Sequence, residues 1–482
     1  MELVISKKNF LRGLARTHGV ADRKSSMPIL SNILLTTDST SSLRFAATDL
    51  YLGVAATAPC EVKKGGSVAV SARHLFDIVK NLPEGDIQWT VGPNHAAEIR
   101  AGKVRFRIPG LPGDDFPALP SPGTADFFSI EAETLGDLIT KTSYSMSTDD
   151  TRPHLAGALF EAEGKTVRMV TTDGHRLSKI DHRLPDSSPM MNFAMLIPNK
   201  GIAELKRVIE DAKVDAKNSK EEGPPQIGIA TSGGHAFFKK DGITLSVKLA
   251  DEQFPPYARV IPQQQEKRVV MSRVGLVDAL RRMSLVSSDT SGGVRFMVTG
   301  GSLRIVSENP DVGEGSEELD VDYAGEAITI GFNAKYILDA LNALSDDAVA
   351  RVPDAGGTSH VVRGEDVAQS AGDRADVARQ RIHLIVVIMR VTEFAVDGLR
   401  GNGAQQLLAI PVSPVKTVQR ARHQPRRHAH QIAHGDLRGQ FGVGGGEVGQ
   451  NVRDRRVPRQ HPLIDQLRDQ QGGHRLGGRA NP

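Results

Sequence analysis

FFSIEAETLGDLITKTSYSM, residues 127 to 146, is the stretch whose reading decides the fold, because its order is written three times in the chain. A short alternating segment, the mark of a strand, runs into a segment whose apolar residues fall on one helical face. The same order opens the chain in ELVISKKNFLRGLARTHG (2 to 19) and returns in RVVMSRVGLVDALRRMSLV (268 to 286). Self-similarity of this kind means one structural unit copied in series.

Each copy continues alike. A strand ends in a small polar and acidic cluster: LRFAATDL (43 to 50), VRMVTTDG (167 to 174) and LRIVSENP (303 to 310). A further strand then enters a second helix: SVAVSARHLFDIVKNL (67 to 82), FAMLIPNKGIAELKRVI (193 to 209) and AITIGFNAKYILDALNAL (327 to 344). The bridges PGLPGDDFPALPSPG (109 to 123) and EQFPPYARVIP (252 to 262) read as linkers, since proline cannot continue a helix or a central strand. The expected architecture is α+β, three similar units in series at 1–122, 127–256 and 262–352, followed by a tail at 353–482.

The helices carry apolar residues at spacings of three and four: Phe10 and Leu14; Leu75, Ile78, Val79 and Leu82; Ile202, Leu205 and Ile209; Ile337, Leu338, Leu341 and Leu344. Opposite these stripes stand cations: Lys8, Arg12 and Arg16; Arg73 and Lys80; Lys200 and Arg207; and Lys141, Arg273, Arg281 and Lys335. One such cation is ordinarily a solvated helix face. A cation on every helix of a threefold repeat instead makes a lining for phosphates, provided the helices share one side of a continuous sheet.

Bulk properties narrow the class. The 482 residues exceed one ordinary core. Mean hydropathy is -0.27. No apolar run approaches the roughly 20 residues that span a bilayer, and MELVISKKNF lacks a signal-peptide core, so the expected location is the cytoplasm. With Cys60 as the single cysteine, an internal disulfide and a cysteine-rich metal site are excluded. A net charge of +3 puts any nucleic-acid role in the placement of charge and not in its sum.

MPILSNILL (27 to 35), ATDL (47 to 50), FDIVKNLPEG (76 to 85), RPHLAGALFE (152 to 161), VTTDGHRL (170 to 177), FPPYARVIP (254 to 262) and GFNAKYILDALNAL (331 to 344) occur in an order that resembles the bacterial DNA polymerase III beta subunit, the sliding clamp, over about residues 1 to 350. The resemblance implies a DNA clamp fold of three tandem clamp domains, with helices lining the inner face and sheets outside. It implies a head-to-tail homodimer around duplex DNA, without sequence specificity, catalytic residues, cofactor or metal. It further implies a processivity factor that tethers the replicative polymerase.

The family's DNA-facing positions fall on Lys24, Arg73, Asp149 and Arg152, with Lys200 nearby. Asp149 is an anion where phosphate is expected and is left out, and Lys8, Arg12, Lys80 and Arg207 join the set from the helix faces. The family's peptide pocket, which DNA polymerase III and clamp loader subunits share, falls on Leu155, Thr172, Gly174, His175, Arg176 and Leu177, with Pro255, Arg259 and Val260 from the linker. By family position the dimer interface brings Phe106 and Ile108 against Leu285 and Val286. Charge agrees: Lys103, Arg105 and Arg107 alternate near one end, and Asp311, Glu314, Glu317 and Glu318 cluster near the other. Asp173 and His175 taken alone would suggest an acid–base pair, but no nucleophile, metal set or phosphate loop accompanies them, so a turn histidine in a pocket wall is the better reading.

Beyond residue 350 the composition changes. Residues 351 onward hold nineteen arginines and one lysine, Lys416, with 8 of the 15 histidines, and no sustained period. A basic disordered tail and a slipped reading frame in a GC-rich gene both account for this, and the frame slip is favoured because the break falls inside the third unit. The third unit is therefore expected to be incomplete, with an unpaired sheet edge. HLIVVIMRV (383 to 391) matches the family's final strand weakly, in spacing and in its missing proline. The competing function is an accessory or non-functional clamp copy that binds DNA or peptides without supporting replication.

Overall fold

The computed structural model describes residues 1–22, 24–218, 223–261, 267–287, 292–344, 349–354, 359–364 and 383–389, the last three segments by backbone course alone. All lie within one compact unit, Met1–Gly401, and the second unit, Asn402–Pro482, falls outside the described residues. The expected tail is accordingly outside them too, apart from its short strand segments.

Six α-helices are described: α1 (Lys7–Thr17), α2 (Ala72–Asn81), α3 (Ala132–Thr140), α4 (Asn199–Asn218), α5 (Arg273–Met283) and α6 (Ala334–Ala343). Their starts are set locally. Ser6 accepts from Asn9 N at 3.3 Å and Ser272 from Gly275 N at 3.2 Å, so α1 and α5 carry the same N-cap at equivalent points of the repeat. The predicted stripes turn inward: Phe10, Leu14, Leu75, Val79, Leu82, Ile202, Leu205, Ile209, Ile337, Leu341 and Leu344 are buried, while Ile78 and Leu338 are half-buried against the same core. Gly13 lets α1 lie close on its sheet, because a Cβ there would sit 2.4 Å from the Phe45 ring. Phe45 in turn packs on Phe10, which meets Trp89 edge-on at 5.6 Å.

All named strand pairings are antiparallel, in four sheets. In each unit the strand before one helix joins the three strands that follow the other helix, so every unit contributes to two different sheets. Leu52–Pro59 of the first unit pairs with Ile243–Lys248 of the second, Leu245 opposite Val54. Arg176–Arg183 of the second unit pairs with His383–Met389, Leu177 opposite Val387. Both junctions obey one rule: the third strand after a unit's first helix pairs with the third strand after the next unit's second helix. The strands left over under that rule, Gly313–Asp320 and Val104–Ile108, end a four-stranded and a five-stranded sheet.

The end of the third unit differs from the sequence expectation. Ser359–Gly364 and His383–Met389 continue the sheet past residue 352, and the edge expected to stand unpaired is covered. The physical reason lies in the run itself. HLIVVIM is rich in β-branched residues, which favour strands, and an interior strand is better without the proline whose absence weakened the match.

Candidate peptide pocket and DNA-facing helices

The strand Thr166–Thr172 turns at Asp173 to His175 into Arg176–Arg183. Gly174 sits at φ +92°, a backbone conformation that favours glycine. Thr172 Oγ1 donates to Arg176 O at 2.7 Å and accepts from Gly174 N at 3.1 Å. Asp173 Oδ1 accepts from His175 N at 2.9 Å and Arg176 N at 3.0 Å, and its Oδ2 from Arg176 Nε at 3.0 Å. The Asp173 carboxylate thus builds the turn, and its contact to His175 is to the main chain.

Behind the turn, Leu177 joins Leu159, Val170, Leu196 and Phe254 in a separate apolar cluster, against which Tyr257 and Val260 pack. Leu155 is buried beside Gly174, Pro255 is half-buried, and Arg259 and His175 are exposed. Of the predicted pocket residues, the structure thus brings Leu177 and Val260 onto one apolar floor with Phe254, the neighbour of Pro255. Tyr257, in the turn Tyr257–Arg259, donates to Glu161 Oε2 at 2.7 Å and accepts from Arg168 Nη1 at 3.2 Å. Burial and the Glu161 carboxylate push its phenol up to about 12.

Arg176 departs from the picture of an exposed polar wall. Its guanidinium is buried, with Nη2 donating to Tyr144 O at 2.7 Å and Nη1 pairing with Asp339 Oδ2 of α6 at 2.7 Å. It also lies 4.6 Å from the Tyr336 ring centroid, and His175 stacks on the same ring at 6.3 Å. Tyr144, Phe254, Tyr336 and Asp339 are site residues that sequence reading missed. Tyr336 and Asp339 share a helix face, yet nothing local announces a partner more than 160 positions away.

The eight predicted phosphate-facing cations divide. Lys8, Lys24 and Lys80 are exposed, with no acidic partner among the described residues. Arg73 sits 3.7 Å from Asp77, both exposed. Hydrogen bonds from the Thr151 hydroxyl and main chain, with Arg152 Nε at 2.9 Å from Oδ2 adding to them, hold the Asp149 carboxyl below its ordinary value. Arg207 pairs with Glu204 at 2.9 Å; Lys200 pairs with the buried Asp49 of the first unit, and Arg12 with Asp215 of α4. No group of three His, Cys, Asp or Glu residues that could hold a metal occurs among the described residues, and no helix there is long and apolar enough to cross a membrane.

On the leftover strand Val104–Ile108, Phe106 is 40% exposed and Ile108 half-buried; just past α5, Leu285 is 78% exposed and Val286 half-buried beside Gly315 of the other leftover strand. Glu98 takes Arg100 and, at 2.6 Å, Arg105, while Arg282 grips Glu317 through two contacts at 2.8 and 2.5 Å.

The chain matches the DNA polymerase III beta subunit in its N-terminal domain over residues 1–120, its central domain over 129–256 and its C-terminal domain over 258–359. It is 32% identical to the beta sliding clamp of Pseudomonas aeruginosa over 375 residues, 77% of this chain and 98% of that one. With the beta sliding clamp of Escherichia coli it shares 33% identity over 351 residues, 72% of this chain and 92% of the relative. Among solved structures, the griselimycin-bound sliding clamp of Pseudomonas aeruginosa superposes with a TM-score of 0.70 at 31% identity, covering 81% of this chain and 99% of that one. A sliding clamp from Caulobacter crescentus gives 0.71 at 29% identity over the same shares.

Proposed function

The chain belongs to the DNA polymerase III beta subunit family, and from that premise we propose that two copies close head to tail into a ring around duplex DNA. It is a non-catalytic processivity factor of DNA polymerase, built of three clamp domains. One observation carries the ring. Both junctions inside the chain use the same pair of equivalent strands, and the one equivalent pair left unused is Gly313–Asp320 with Val104–Ile108, at opposite ends. A second copy that meets this edge in the same way repeats the junction and closes the circle by symmetry. The first edge carries Glu314, Glu317 and Glu318, the second Arg105 and Arg107, so opposite charge favours the pairing.

In that ring the helices face the DNA, and the phosphate-facing set is Lys8, Lys24, Arg73, Lys80, Arg152, Lys200 and Arg207, while Arg12, expected with them, is taken up by Asp215. Of these, Lys8, Lys24 and Lys80 are the freest to neutralise phosphate, and contact with phosphate alone gives binding without sequence preference. The cleft from Leu155 to Leu177, with Pro255, Arg259 and Val260, takes a partner's peptide: apolar side chains accept its leucine or phenylalanine, and the Thr172–Arg176 turn orients its backbone. Polymerase and clamp loader subunits compete for it, and the site of action is the cytoplasm. The test is retention on nicked circular duplex. A ring stays bound until the circle is cut and then slides off; a protein held equally by circle and linear DNA is not one.

A further inference from the structure

α4 runs for 20 residues, whereas the other five helices run for 9 to 11. The surplus is two to three turns, and its second half carries Asp211 and Asp215. At a spacing of four they share one helix face, as do Arg12 and Arg16 on α1. The two faces meet. Arg16 Nε binds Asp211 Oδ2 at 2.6 Å, Arg16 Nη2 binds Asp215 Oδ2 at 2.5 Å, and Arg12 binds the same Asp215 oxygen. The Arg16 side chain is only 7% exposed.

Asp215 lies in the last turn of α4, where a negative charge opposes the helix dipole. Its placement there serves the arginines of the first unit and not its own helix. By contrast Lys8, one turn before Arg12, has no acidic partner among the described residues.

We infer that the second half of α4 is a strut that captures Arg12 and Arg16, binding the first unit to the second and withdrawing both arginines from the DNA track. On the reading of a DNA-encircling ring, on which this rests, the track over the first unit then runs through Lys8, Lys24, Arg73 and Lys80. An evenly spaced row of three cations on α1 is divided, with Lys8 for phosphate and the two arginines for the joint.

The experiment is equilibrium binding of a short fluorescent duplex by the full-length chain, followed by anisotropy across a salt series. Each phosphate contact contributes about 0.9 to the slope of log affinity against log salt. Lys8→Gln and Lys80→Gln each lower that slope by up to this amount. Arg12→Gln with Arg16→Gln leaves it unchanged but speeds amide exchange along α1 and the second half of α4. Asp211→Asn with Asp215→Asn, which keeps size and removes charge, steepens it. A double arginine variant that flattens the slope as Lys8→Gln does overturns the strut while leaving the DNA-facing helices intact. A slope that none of the lysine variants changes, with exchange still faster in the arginine variant, removes the DNA-facing reading and leaves the joint standing.

Discussion

Arg176 of the second unit and Asp339 of the third are joined Nη1 to Oδ2 at 2.7 Å, and the arginine that makes this bond also belongs to the proposed peptide cleft. Removing the carboxylate leaves a buried guanidinium with Asp173 as its remaining anion. Asp339→Ala should lower stability by about 1–3 kcal/mol, the range for an unsatisfied buried polar partner. With the Thr172–Leu177 turn loosened, peptide affinity should also fall, on the order of fivefold. Urea unfolding and fluorescence polarisation measure the two effects, and a variant with normal values of both would show the bond to be incidental.

Gly13 tests the packing of the first unit. An alanine there gains about 1 kcal/mol of helix propensity, but its methyl would stand 2.4 Å from the fully buried Phe45 ring. Phe45 is held by Phe10, so the ring cannot yield without disturbing the core. Overpacking of this kind costs about 1–3 kcal/mol. Gly13→Ala should therefore lower the melting temperature of the protein, and an increase would mean that the helix lifts without penalty.

The repeat, the helices and their apolar stripes were legible because each rests on local periodicity, from Phe10 and Leu14 to Leu341 and Leu344. The candidate pocket was legible only through resemblance, since Leu177 and Val260 meet in one cluster although far apart in the chain. Ion-pair partners were not legible at all. Lys8 and Arg12 look alike as a stripe on one helix, and what separates them is Asp215, some two hundred positions away. Arg176 reads as a polar cleft residue until Asp339 and Tyr336 close over it. The β-branched run of His383–Met389 marks a strand but does not name its partner, the edge Arg176–Arg183.

Glu204 sets a pH dependence. Burial in α4 raises its carboxyl above the ordinary 4.5, with Arg207 opposing. The folded chain then holds this proton to higher pH than the unfolded chain does, so the stability linked to Glu204 is greatest below 4.5 and declines as pH rises through the folded value. Glu204→Gln, which cannot ionise, should escape the decline, so its stability relative to the native chain should rise from pH 4 to pH 8. Urea titrations at the two pH values measure the gap. An equal gap at both would place the effect in packing.

Tyr257 ties the turn Tyr257–Arg259, a wall of the proposed cleft, to the second unit through Glu161 and Arg168. Tyr257→Phe keeps the ring against Phe254 and removes both hydrogen bonds, together worth about 1–3 kcal/mol. The turn that carries Arg259 and Val260 should loosen. Peptide affinity should drop about threefold to tenfold while duplex retention is unchanged, because no phosphate-facing cation is touched. Loss of both together would mean that the substitution unfolds the second unit.

In the proposed ring Phe106 and Leu285 meet across each junction, and the effect of altering them depends on the ring's polarity. Phe106 is an exposed apolar side chain on the leftover strand Val104–Ile108 and Leu285 one just past the end of α5, and a glutamate at either position would put an unpaired charge into the proposed contact. Phe106→Glu alone should be monomeric at micromolar concentration, since in a symmetric ring the substitution spoils both junctions; Leu285→Glu alone should behave likewise. Mixing the two variants is the sharper measurement. In a head-to-tail pair one junction then carries both glutamates, and the other joins the unaltered Phe106 of one chain to the unaltered Leu285 of its partner. Sedimentation should show an open dimer with one junction, and that dimer should not remain on circular DNA. Single variants that stay dimeric would remove Phe106 and Leu285 from the interface. A mixture that stays monomeric would show that one junction is too weak to hold two chains without the second.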